Sequence, residues 1–262
     1  MSLIPTAPRS IGGVLDDAIR LYRAALSKCM PLVLISVALM FIPGLLLAMR
    51  MQNLAGGGPQ AVMSLFAKPS VWVTYFAMIV VTIAVYNAII IHINAIAHDE
   101  PSTLGSAFGA GLGRVAPMIG MAILFLLAVS IGTVLLIIPG IYVWGILQFA
   151  FIPLLIDRAG VFESFGISRR LVKGNWWRTT TIITVAFIII YILILVVGLI
   201  AGLFVGFAGP GMLGNVVVQQ ILSAIMNIFL MPFLPSVMLA VYYDLKLRNE
   251  GDDLAERVAQ LS

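Results

Sequence analysis

Between Arg178 and Asp244 the chain reads TTTIITVAFIIIYILILVVGLIAGLFVGFAGPGMLGNVVVQQILSAIMNIFLMPFLPSVMLAVYY, residues 179–243, a run of 65 positions without a formal charge. One helical crossing of a bilayer takes about 20 apolar residues, so this run is too long for one crossing and long enough for two. The segment FAGPGMLG at 207–214 supplies glycine and proline where the two must separate. Working outward from this run, charges bound three more. Residues 29–49, between Lys28 and Arg50, suffice for one span, and 71–97, between Lys68 and Asp99, for another. Residues 115–156 form an uncharged block of 42 with Pro139-Gly140 near its middle, which reads as a hairpin of two crossings turning at that pair. Its second arm, 141–156, has only 16 residues, so a re-entrant segment is the alternative there. The expectation is an all-α polytopic membrane bundle of six transmembrane helices, carried by residues 30–243. An amphipathic segment, 1–29, precedes it and a tail, 244–262, follows it.

Composition agrees. Hydrophobic residues make up 61% of the 262 positions and charged residues 10%. Soluble domains carry about a quarter charged residues, so a water-facing surface all round is excluded. Cys29 is the sole cysteine, which excludes an internal disulfide and argues against thiolate metal sites. The net charge of +4 could suggest nucleic acid, but Lys and Arg are also what sets membrane orientation, and no nucleic-acid partner is expected. The first 28 residues carry six charges and no apolar stretch of the signal-peptide kind, so the first span is expected to serve as the insertion signal. With the amino terminus inside, 13 basic residues fall on the inner side and only Arg50 and Lys68 outside. That bias puts both termini in the cytoplasm, with the chain a multi-pass protein of a bacterial inner membrane.

A repeat runs through these segments. Each odd-numbered span follows a stretch with helical periodicity: 14–26, 103–114 and 162–176. In the third, Phe162, Phe165, Val172 and Trp176 are expected on one face and Arg169, Arg170 and Lys173 on the other. Ile42-Pro43-Gly44 echoes Ile138-Pro139-Gly140 as a turn, and the even spans end near Asp99, Asp157 and Asp244. This reads as three units of surface helix plus two-span hairpin; shared topology constraints are the competing explanation.

Four features carry the candidate chemistry. Arg169, Arg170, Lys173, Trp176, Trp177 and Arg178 place paired indoles beside cations, a composition suited to the headgroup layer. They are candidates for binding anionic lipid or a protein partner, with plain anchoring of the fifth span as the simpler reading. Gly198, Gly202 and Gly206 form a small-residue stripe, expected to pack within the bundle, with self-association as the alternative. Gly105, Gly109 and Gly113 weaken the second surface helix, which should be short. Asn87, Gln148 and Asn227 sit near the middle of the even spans, and His92 follows on the second. These are either interhelical hydrogen-bonding amides or a polar path, and the absence of deep Asp, Glu, Lys or Arg favours the first. Pro232 and Pro235 are expected to interrupt the sixth span.

Motifs for catalysis are missing: no HExxH, no GxSxG, no phosphate-cradling loop, and His98-Asp99-Glu100 reads as a solvated turn. Four segments, LDDAIRLY at 15–22, IIPGIY at 137–142, VKGNWWR at 172–178 and YYDL at 242–245 with Glu250-Gly251, resemble a bacterial and archaeal membrane family. It is known as the glycerophosphoryl diester phosphodiesterase membrane domain, or YciC-like proteins. The resemblance implies a six-helix membrane fold and no reaction, since the catalytic domain that gives that family its label has no counterpart in the chain. The expected function is therefore non-enzymatic and without cofactor: organising lipid, a protein partner or a second copy at the cytoplasmic face. A small permease for a lipid-like or apolar solute is the alternative, and an intramembrane enzyme comes third.

Overall fold

A computed structural model describes residues 3–54, 60, 63–64, 66–208 and 212–261. These hold nine helices and no strand: α1 Ile11–Leu54, α2 Pro69–Ala97, α3 Leu104–Gly113, α4 Val115–Leu135, α5 Ile137–Leu147, α6 Phe151–Leu155, α7 Val161–Val172, α8 Trp176–Ala208 and α9 Met212–Leu261. Six spans are long and apolar enough to cross a bilayer: α1, α2, α4, α5 with α6, α8 and α9. The chain is an all-α, polytopic integral membrane protein, as its uncharged runs require.

Several boundaries differ from the sequence reading. The first surface helix and the first span are one helix, because α1 runs through Pro31 and Pro43 to Leu54. At 44 residues it is about 66 Å long, twice the hydrocarbon thickness, so part of it stands outside the core. Likewise α9 continues through Pro232, Pro235 and the expected tail boundary to Leu261. Neither Ile42-Pro43-Gly44 nor Pro139-Gly140 is a turn. The α4–α5 hairpin turns at Leu136, whose backbone is extended, and Pro139 lies in the first turn of α5, where a missing N–H leaves no bond unmade. What these two glycines provide is close approach. A Cβ on Gly140 would stand 2.8 Å from the Thr133 backbone of α4, and one on Gly44 would meet the Gln220 side chain of α9, 3.3 Å from its Cδ. Because α5 begins before the proline, the fourth span is 19 residues, Ile137–Leu155, long enough to cross. The expected separation of the fifth and sixth spans within 207–214 falls on 209–211, which lie outside the described residues.

The three-unit reading acquires a geometry. In an apolar 18-residue stretch of α2, α5–α6 and α9, 44% of the residues are buried, against 18%, 11% and 17% in α1, α4 and α8. Even-numbered spans thus form the centre and odd-numbered ones the periphery. Each surface helix packs on the central span of the unit before it: α3 on α2, and α7 on α5 and α6. The circle closes, since the amino-terminal half of α1 packs on α9, where Tyr22 meets Phe233 edge to face at 5.5 Å. Both α2 and α6 lead into a residue with left-handed backbone, Asp99 (φ 60°) and Arg158 (φ 55°). The main core lies toward the end that carries the termini, with Val14, Ala25, Ile93, Phe149, Ile182 and Leu245 all buried. Toward the other end, apolar side chains such as Val134, Ile138 and Leu199 are exposed, as surfaces that face lipid tails are.

Candidate functional site

The basic-aromatic segment begins in α7, whose amphipathic face differs from the expected one. Ser164, Ser168, Leu171 and Val172 are buried, whereas Phe162 is exposed. Ser168 donates its hydroxyl proton to the Ile146 carbonyl of α5 at 2.6 Å, which seats the helix with Arg169 and Arg170 facing outward. Neither arginine has an ion-pair partner among the described residues. The chain then reverses in a type II turn. Lys173 has φ −57° and ψ 128°, Gly174 has φ 83°, and the Asn175 N–H bonds the Val172 carbonyl at 3.0 Å. Only glycine adopts that third-position backbone without strain, which explains Lys-Gly-Asn at this point. Lys173 is exposed on the turn.

From there the tryptophans and the last arginine go different ways. Trp177 is exposed, while Trp176 is half-buried and lies over Gly145, where a Cβ would come 3.0 Å from its Cε2. Tyr142 lies beside Trp176 at 5.8 Å, and the Trp176 indole nitrogen is buried without a hydrogen-bond partner among the described residues. Arg178, expected in the lipid-binding set, turns inward. Its guanidinium bonds Asp244 of α9 at 2.7 Å and also the Arg9 carbonyl. Arg248 reaches the same two acceptors at 3.0 and 2.6 Å, and the Arg9 N–H donates to the other Asp244 oxygen at 2.7 Å. Asp244 is fully buried. The outward basic face is therefore Arg169, Arg170 and Lys173, with Trp177 beside them.

Each polar residue of the even spans has its own local partner. Asn87 is buried and donates to the Gly111 carbonyl of α3 at 3.1 Å, so it joins a span to a surface helix. Gly111 permits this, since a Cβ there would sit 2.7 Å from the Ala88 nitrogen of α2. The sequence had singled out its neighbours Gly105, Gly109 and Gly113, where an added Cβ would meet none of the described residues within 4 Å. Gln148 donates to the Gly145 carbonyl at 3.1 Å, and its carbonyl oxygen is buried without a partner. Asn227 bonds its own helix at Ser223 and borders a small polar space with Ser36 and Gln220, between α1 and α9. His92 is buried with Nδ1 3.1 Å from the Ser102 hydroxyl. Of these bonds only that of Asn87 joins two helices; Gln148 and Asn227 bond within their own helices, and Asn227 is exposed.

Two features escaped the sequence reading. Tyr242 donates to Asp157, just past α6, at 2.6 Å, and Tyr243 donates to the Asn94 amide oxygen on α2 at 2.5 Å. With Asp244 they make a knot that joins all three central spans to α8 and the amino-terminal segment. Its sequence signal was an acid closing the longest uncharged run with Arg248 four residues on. The second feature is a cavity of about 290 Å³ toward the termini-bearing end, bordered by Met121, Phe125, Trp144, Gln148, Phe187 and Met238. It lies between the peripheral spans α4 and α8. Ala122 and Phe187 on its rim are exposed, so it opens toward lipid.

No group of His, Cys, Asp or Glu able to hold a metal ion occurs among the described residues. These elements define a class, a six-span integral membrane protein with an apolar side cavity beside a basic surface helix. No family model, curated protein or solved structure matches the chain.

Proposed function

We propose that this is a non-enzymatic membrane protein that holds a lipid on the side of the membrane where its termini lie, which the excess of basic residues there assigns to the cytoplasm. The observation that carries the reading is the apolar cavity between α4 and α8. It has the size and lining to accept part of an acyl chain, with aromatic and thioether walls that adapt to a flexible guest. α7 packs against the wall of this cavity through its buried face, where Ser168 bonds Ile146, two residues before Gln148 on the cavity wall. Arg169, Arg170 and Lys173 supply unpaired positive charge for a lipid phosphate, and Trp177 an indole for the headgroup layer.

The test is retention of phosphatidylglycerol by the purified full chain, read by native mass spectrometry. Replacing Arg169, Arg170 and Lys173 together with Gln should weaken retention by roughly 1 kcal/mol per charge. Unchanged retention, with normal insertion, reduces the segment to an anchor and removes the reading. A permease for an apolar or lipid-like solute is the second reading, supported by the cavity's opening toward lipid and the unpaired Gln148 oxygen on its wall. Filling the cavity with Ala122→Trp separates them. A permease loses transport of its solute, whereas a lipid-holding protein loses only the bound lipid.

A further inference from the structure

At the end of the bundle away from the termini, α1 and α2 part around a cleft of about 360 Å³. Leu46, Leu47 and Met78 line its deeper part, and Arg50, Ser70 and Tyr75 line it nearer the helix ends. By the roughly 30 Å³ that one water occupies in the liquid, the cleft has room for about a dozen waters, or for a phosphate ester with the upper part of a hydrocarbon chain. Arg50 is exposed and has no ion-pair partner among the described residues. Nor can the chain offer a carboxylate at this end. The stretches 18–98, 115–156 and 179–243 hold no Asp or Glu, and every acid lies toward the other end of the spans. The depth is that of the headgroups: Trp72, exposed two residues after Ser70, donates its indole N–H to the Phe66 carbonyl at 2.7 Å.

A guanidinium without a protein counter-ion, hydroxyls beside it and an apolar cleft below call for one ligand, an anion with a hydrocarbon body. We infer that this cleft binds a phospholipid of the leaflet opposite the termini, with its phosphate on Arg50 and the Ser70 and Tyr75 hydroxyls, and a chain between Leu47 and Met78. The geometry suits the ligand, because guanidinium pairs with phosphate oxygens in a two-pronged arrangement that a lysine ammonium does not reproduce. The site is independent of the cavity beside α7, sharing no lining residue with it and lying at the other end of the bundle. A simple snorkelling arginine would sit at the same depth, so the test must separate a cleft from an anchor.

The full chain is purified from vesicles of phosphatidylglycerol and phosphatidylethanolamine, and bound phospholipid is counted by native mass spectrometry. Arg50→Gln should lower occupancy of one bound lipid about five-fold, the factor that matches one basic side chain at a headgroup surface. Lys68→Gln removes the other cation at this end, outside the cleft, and should change nothing. Leu46→Trp, made at an exposed position on the cleft wall, should remove the same lipid while keeping Arg50. It also covers the case in which Arg50→Gln fails to insert. Inorganic phosphate should not compete; displacement by phosphate would make this an anion site and overturn the lipid assignment. Equal effects of Arg50→Gln and Lys68→Gln, or full lipid retention in Leu46→Trp, would overturn it as well.

Discussion

Asp244 has no exposed surface, yet each of its oxygens is occupied: one by the Arg9 N–H, the other by Arg178 and Arg248. A buried carboxylate is tolerated when its charge is matched and its lone pairs are used, and both conditions hold here. Removing it leaves two guanidinium groups facing each other and frees the amino-terminal segment. Asp244→Ala should therefore cost about 3 kcal/mol, the lower end for breaking a buried pair, because both arginines keep partial access to water. The measurement is thermal unfolding in detergent, and a shift no larger than that of Arg169→Gln would refute the assignment. Arg178 should follow Asp244 rather than its basic neighbours. Arg178→Gln lowers stability and leaves lipid retention intact, while the exposed Arg169 and Arg170 do the reverse. Sequence alone grouped these three arginines, since an ion pair across 66 positions of chain leaves no periodicity to read.

At the scale of elements, the glycines divide by what stands opposite them. On Gly111 a Cβ would collide with the α2 backbone, whereas a Cβ on Gly198 or Gly202 would meet none of the described residues within 4 Å. The two glycines of the α8 stripe that the spacing assigned to packing within the bundle are exposed among the described residues, and the surroundings of Gly206 are not described. Gly111→Val should push α3 off α2 and strand the Asn87 amide, lowering stability by about 2 kcal/mol, within the range for overpacking a core. Gly198→Leu should be silent in the same unfolding assay, because leucine suits a lipid-facing position and removes a poor helix former. A loss of stability or a change in oligomeric mass with Gly198→Leu would show that this face has a partner.

For the molecule as a whole, the three central spans are joined at one end by two hydroxyls, Tyr242 to Asp157 and Tyr243 to Asn94. Replacing both tyrosines with Phe should cost about 1 kcal/mol per bond, somewhat more at Asp157 because the acceptor is charged. A cost well below that would mean the spans hold their places by apolar packing alone. Orientation belongs to this scale too. Reporter fusions after residues 60, 140 and 211 should show exposure outside the cytoplasm, and fusions after 99, 160 and 262 exposure within it. A carboxyl terminus outside would remove the even number of crossings on which the lipid reading's choice of leaflet rests.

The sequence by itself determined the helical membrane class and the six crossings. A bilayer offers no water to unpaired backbone groups, so each uncharged run of sufficient length has one economical conformation, legible residue by residue. It also marked the cations Arg169, Arg170 and Lys173 that remain outward. Only the tertiary structure decided that the even spans are central, that each surface helix packs on the preceding unit, and that Pro43 and Pro139 lie within helices. In lipid both faces of a helix are apolar, so hydrophobic periodicity cannot say which face is buried; small residues and hydrogen bonds decide, through partners distant in the chain. Asn87, Gln148 and Asn227 were rightly noted as polar groups at depth. Whether they met each other or Gly111, Gly145 and Ser223 depended on helix rotations that no local pattern encodes.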